Sequence, residues 1–161
     1  MNHPISRRTI LAAALGSAVT TSTAWAKNPP KTPRILFVCQ FGTVKSPIAR
    51  ELLRRRAAER GILIQVSARG ITPQQHLPPE LRKKLAADGI DPAAEPLKRL
   101  SRRDIAGADL LIAFDPLPPG KSPRRLVEWS DLPSMVGDYP RARAVLDERI
   151  DRLLDSLATG R

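Results

Sequence analysis

Ile35-Leu36-Phe37-Val38-Cys39-Gln40-Phe41-Gly42-Thr43-Val44-Lys45-Ser46-Pro47 decides how this chain is read, and it holds the only cysteine. An unbroken apolar run ends at that cysteine. A short loop with one glycine follows and closes on Ser46 and Pro47, residue types suited to starting a helix. A strand, a tight loop and a helix N-terminus form an anion site, because loop and helix N–H groups converge and the helix dipole favours negative charge. A cysteine at the mouth of such a loop is expected to be partly thiolate. The plainer reading, a buried core cysteine at a strand end, stays open at this point.

The neighbouring residues build an alternating pattern around this stretch. The apolar run over residues 34–38 is of the kind buried on both faces of a parallel sheet. Ile48, Ala49, Leu52, Leu53 and Ala57 recur at helical spacing, which predicts a helix over 47–60 with Ser46 as cap and Gly61 at its end. A strand over 63–67 completes a βαβ unit, whose crossover is right-handed. Residues 68–78 read as a loop and 79–88 as a helix stopped by Gly89, and residues 90–100 as irregular. Ser101 and Asp104 open a short helix before a strand over 109–114. Residues 115–123, with four prolines and a glycine, must be a loop. A short strand over 126–129 follows. A last helix starts near Asp138 and Pro140 and carries Ala142, Val145, Leu146, Ile150, Leu153, Leu154 and Leu157 on one face. Strands alternating with helices predict an α/β fold, a three-layer sandwich with a four-stranded parallel sheet. Ligands of such sheets sit at the carboxyl ends of the strands, where Cys39 lies.

The first residues stand apart. Ser6-Arg7-Arg8-Thr9-Ile10-Leu11, an alanine-rich apolar run and Ala24-Trp25-Ala26 read as a signal peptide over 1–26, of the twin-arginine kind. Residues 27–33, with three prolines, read as a linker and 34–158 as one domain. The protein is therefore expected to be periplasmic or secreted, with no stable membrane insertion after cleavage. Of 27 basic and 16 acidic residues in 161, cleavage removes two arginines and no acid, and the net charge falls from +11 to +9. That balance favours acidic partners. Aromatics do not interleave with the basic residues as they do where bases stack, so nucleic acid is not expected. A lone cysteine excludes an internal disulfide. No cluster has metal-ligand spacing, and no metal or cofactor is expected.

The order of elements and the loop after the first strand resemble the low-molecular-weight protein tyrosine phosphatases, a fold shared with thioredoxin-coupled arsenate reductases. The family's loop begins with cysteine and after five residues has arginine, then serine or threonine, commonly followed by proline. Here Cys39 is followed by Gln40, Phe41, Gly42, Thr43 and Val44, then Lys45, Ser46 and Pro47. Ser67-Ala68-Arg69-Gly70, the helix ending in Asp88-Gly89-Ile90-Asp91 and the stretch from Ser101 to Phe114 are similar as well. The resemblance implies a thiolate nucleophile at Cys39, oxyanion binding by Gln40 through Ser46, and an acid on a later loop. It implies a phosphate-like oxyanion as ligand and a phosphorylated protein as partner.

Two positions depart from the family pattern. Lys45 stands for the arginine, which keeps the charge but loses the planar two-pronged grip, worth about 3–5 kcal/mol of transition-state stabilisation. In the stretch Trp129-Ser130-Asp131-Leu132-Pro133-Ser134-Met135, Ser134 stands where the acid belongs. Asp131 is the candidate acid nearby, with Asp138 on the other side. The expected function is phosphate binding in the Cys39–Ser46 loop with weak phosphomonoester hydrolysis through a cysteinyl-phosphate. The alternative is a catalytically inactive oxyanion or phosphoprotein binder. Arsenate reduction is less favoured, because it requires further thiols.

Overall fold

The computed structural model describes residues 31–120 and 123–159. The export signal expected over 1–26 and residues 27–30 of the linker lie outside the described residues. Eight elements follow one another: β1 (Arg34–Cys39), α1 (Lys45–Glu59), β2 (Gln65–Gly70), α2 (Pro79–Ala87), α3 (Arg102–Gly107), β3 (Leu110–Ala113), β4 (Leu126–Glu128) and α4 (Tyr139–Thr159). The strands form one parallel sheet in the order β2-β1-β3-β4. The expected α/β fold with a four-stranded parallel sheet is therefore the one observed.

β1 is flanked on both sides, with Phe37 opposite Ala68 on β2 and Ile112 on β3. Its side chains alternate between two cores. Ile35, Phe37 and Cys39 join Leu110 and Ile112 under α1, α2 and α4, where Ile48, Leu52, Leu85, Leu146 and Ile150 pack. Leu36 and Val38 join Leu111 and Ala113 against Leu100, Ile105 and Ala108 around α3. An unbroken apolar strand is required because both faces are covered. Phe37, Phe114 and Trp129 meet with ring centroids 5.8–6.0 Å apart and tie the ends of β1, β3 and β4 together. Each such aromatic pair contributes about 0.5–1.5 kcal/mol beyond burial.

Local signals act where the sequence places them. Ser101 and Asp104 form a capping box, with the Asp104 N–H donating to Ser101 Oγ at 3.1 Å and the Ser101 N–H to Asp104 Oδ2 at 2.9 Å. Gly61 and Gly89 follow the ends of α1 and α2. α4 is laced to α1 by arginines: Arg60 reaches Asp151 at 2.6 Å and Asp155 at 2.8 Å, and Arg56 reaches Asp147 at 3.2 Å and also Asp151.

Two expectations are corrected. Ser46 does not cap α1: the helix begins at Lys45 after Val44, and Ser46 lies inside its first turn with no solvent exposure. β2 starts later and runs to Gly70, with Leu63 left 76% exposed. Its far end is held by residues 98–100, since the Gly70 N–H donates to Lys98 O at 3.0 Å and the Leu100 N–H to Gly70 O at 2.8 Å. That pairing is non-local and is invisible in the periodicity of 63–67. β4 is exposed at all three residues, as the edge of the sheet.

Candidate active site

The loop from Cys39 to Ser46 leaves the carboxyl end of β1 and is stitched to the segment after β2. Cys39 O, Gln40 O and Phe41 O accept from the N–H groups of Ile71 (3.0 Å), Thr72 (2.9 Å) and Gln74 (3.1 Å). A planar trans peptide directs the next N–H opposite to its carbonyl. The N–H groups of Gln40, Phe41 and Gly42 therefore turn away from that segment. Two of them are seen to do so: the Gly42 N–H donates to Cys39 Sγ at 3.3 Å, and the Gln40 N–H to Asp115 Oδ2 at 2.9 Å. The N–H groups of Lys45 and Ser46, in the first turn of α1 and without a partner within the helix, follow along the chain.

Two glycines permit the loop's shape. Gly42 has φ +71°, and a Cβ there would lie 2.7 Å from Leu97 Cδ1 and 2.8 Å from Gly70 Cα. A Cβ on Gly70 would lie 2.9 Å from Phe41 C and O. The end of β2 and the base of the loop thus pack backbone against backbone, a contact that side chains would prevent.

Cys39 is 4% exposed and belongs to the core under α1. Its sulfur meets polar groups within the loop, since Ser46 Oγ lies 3.1 Å away and the Gly42 N–H points at it. Ser46 Oγ also donates to Arg69 O at 3.3 Å. Lys45 extends to Asp115, Nζ to Oδ1 at 3.1 Å, and both side chains are about a quarter exposed. Gln40 Nε2 donates to Thr72 Oγ1 at 2.7 Å, and Thr43 is buried with its hydroxyl 3.5 Å from His76 O. Val44 is half-buried against the core, and Phe41 is 44% exposed at the loop. The structure thus brings together Cys39, Gln40, Gly42, Lys45 and Ser46. Among the described residues no group of three or more His, Cys, Asp or Glu could hold a metal ion.

The acid-loop residues are placed otherwise. Asp131 is exposed and accepts from Arg149 Nη2 at 2.8 Å, and that hydrogen bond holds its carboxyl below the usual carboxylate range. Arg149 lies 5.7 Å over the Trp129 ring. Asp138 accepts from the Arg141 N–H with Oδ1 at 3.3 Å, ahead of α4. Ser134 is exposed, and its hydroxyl accepts the Gly137 N–H at 3.0 Å within its own turn.

The carboxylate that does contact the loop is Asp115, at the start of the connection over 115–123 that its prolines mark as a loop. Phe114 fixes its position, being 1% exposed with its N–H donating to Val38 O at 2.9 Å. A signal was present: an acidic residue directly after a buried parallel strand falls at the end of the sheet where ligands bind.

A cleft of about 540 Å³ runs beside Gly42 and Thr43 toward Arg50, Leu77, Ile90 and Leu97. Cys39 and Lys45 do not line it, so this cleft lies next to the thiol chemistry and not over it.

The sequence pattern described as low molecular weight phosphotyrosine protein phosphatase matches residues 34–157. No curated protein matches the chain. Among solved structures, YfkJ from Bacillus subtilis is similar with a TM-score of 0.66 at 19% identity, covering 81% of this chain and 98% of that one. The YwlE arginine phosphatase from Geobacillus stearothermophilus gives 0.62 at 24% identity, covering 80% and 94%. The low molecular weight protein tyrosine phosphatase from T. tengcongensis gives 0.59 at 22% identity, covering 78% and 99%.

Proposed function

The chain belongs to the low molecular weight phosphotyrosine protein phosphatase family, and from that premise we propose that it is an exported protein binding a phosphate-like oxyanion in the Cys39–Ser46 loop and hydrolysing phosphomonoesters slowly. The observation that carries this reading is the Cys39 sulfur set between the Gly42 N–H and Ser46 Oγ at the head of the loop. Lys45 supplies the cation. In the first step the Cys39 thiolate forms the S–P bond as the ester P–O bond breaks, and the leaving oxygen takes a proton. In the second, water attacks phosphorus and the P–S bond breaks, returning thiolate and phosphate.

Asp131 is the proposed acid. It must first leave Arg149 and carry a proton, a requirement that fits slow turnover. The substrate class is a phosphorylated protein. Because one structural neighbour is an arginine phosphatase, a phosphoarginine protein is assayed beside an aryl phosphate. The test compares hydrolysis by the mature protein and by Cys39→Ser, with equal rates overturning the enzyme. Release of residues 1–26 on export, read by the mass of the secreted chain, tests the signal.

A second reading, a binder without turnover, is favoured by Lys45 in place of arginine and by Ser134 committing its hydroxyl to Gly137. It expects saturable phosphate binding without hydrolysis, weakened by Lys45→Ala. Lys45→Arg combined with Ser134→Asp should then raise activity.

A further inference from the structure

The loop already holds an anion of its own. The Asp115 carboxylate spans two donors, with Oδ2 accepting the Gln40 N–H at 2.9 Å and Oδ1 the Lys45 ammonium at 3.1 Å. One is a main-chain N–H of the cradle; the other is the cradle's side-chain cation. An oxyanion in the loop would use the same two kinds of donor through two of its oxygens. The carboxylate is no loose surface group. Phe114 is locked into the sheet by its hydrogen bond to Val38 O, and Pro116 biases Asp115 away from helical backbone. The side chain is 26% exposed, so solvent and a ligand can reach it.

We propose that Asp115 is a resident competitor for the cradle: its carboxylate occupies the Gln40 N–H and Lys45 Nζ at rest, and an oxyanion binds by displacing it. The proposal rests on reading Cys39–Ser46 as an oxyanion cradle. A carboxylate beside a phosphate site costs affinity twice, once by holding the donors and once by repelling the arriving charge. Lysine accentuates the first effect, because it meets an oxyanion as a compact point charge and lacks the planar fork by which arginine grips two oxygens side by side. Asparagine at position 115 retains a carbonyl oxygen for the Gln40 N–H and loses the charge, so it separates competition from mere support of the loop.

The experiment is calorimetric titration of inorganic phosphate into the mature protein and into Asp115→Asn. Competition expects the variant to bind phosphate roughly tenfold more tightly or better, the effect of removing one nearby charge at the effective dielectric of a partly exposed site. Equal or weaker binding by a folded Asp115→Asn, with the parent binding phosphate, overturns the competitor and leaves the cradle standing. Absence of binding by both proteins overturns the cradle reading and the proposal with it. A crystal structure of the unmodified protein soaked in phosphate gives a second measure that needs no variant. Both Asp115 contacts should open as phosphate enters the loop, and phosphate bound with both contacts intact overturns the proposal.

Discussion

Ser46 Oγ stands 3.1 Å from Cys39 Sγ and, on its other side, 3.3 Å from Arg69 O. A hydroxyl has one proton for these two acceptors. When sulfur keeps its own proton, the thiol can donate to Ser46 and Ser46 to Arg69. When sulfur is ionised, Ser46 must turn its proton to the thiolate and release Arg69 O. The buried serine therefore follows the charge state of Cys39. Ser46→Ala should lower single-turnover hydrolysis of an aryl phosphate by roughly ten- to a hundredfold, the weight of one hydrogen bond to a charged group. Phosphate affinity should change little, and stopped-flow release of the aryl alcohol measures the rate.

Phe41 presents an exposed ring on the loop, where the main chain alone would be enough to hold an oxyanion. On the proposed reading, the ring would meet the organic part of a substrate. Phe41→Ala should raise KM for an aryl phosphate about two- to tenfold, the size of one aromatic contact. The affinity for inorganic phosphate should stay unchanged. A parallel loss for both ligands would instead place Phe41 in the support of the loop.

Gly42 and Gly61 separate strain from crowding. Both have positive φ, +71° and +64°, but a Cβ on Gly61 meets nothing within 4 Å, whereas one on Gly42 meets Leu97 and Gly70. Gly61→Ala should cost about 1–2 kcal/mol. Gly42→Ala should cost about 2–5 kcal/mol, because overpacking adds to the backbone term. Urea unfolding of the two variants gives the difference directly.

Asp109 links the chain ahead of β1 to the start of β3. The hydrogen bond from Lys31, followed by the Arg34 N–H, lowers its carboxyl from 3.8 to about 2. A lowered folded-state value stabilises the fold above the unfolded value, and that contribution fades as pH falls from about 4 toward 2. Asp109→Asn should flatten the fall in stability over that window and leave the pH dependence near neutrality unchanged, as thermal melts at stepped pH will record.

The fold was legible because its signals are local. The apolar run of β1, the helical spacing of Leu52 and Leu53, and the Ser101–Asp104 box each act within a few residues. Ser46 misled for the same reason: the residue type favours a cap, but the loop starts the helix earlier and turns the hydroxyl onto Cys39. Asp115 was missed because its meaning depends on β3 lying beside β1, a relation between residues 75 positions apart for its bond to Gln40. The end of β2 at Gly70 likewise depends on residues 98–100 across the fold.

The stitching of the loop to the segment after β2 also provides a built-in reporter. Ile71, Thr72 and Gln74 donate their amide protons to Cys39, Gln40 and Phe41, and so their exchange with deuterated water should be slow only while the loop keeps its shape. Three amides outside the Cys39–Ser46 loop can thus time its opening, in the resting protein and during turnover, with no label placed in the site.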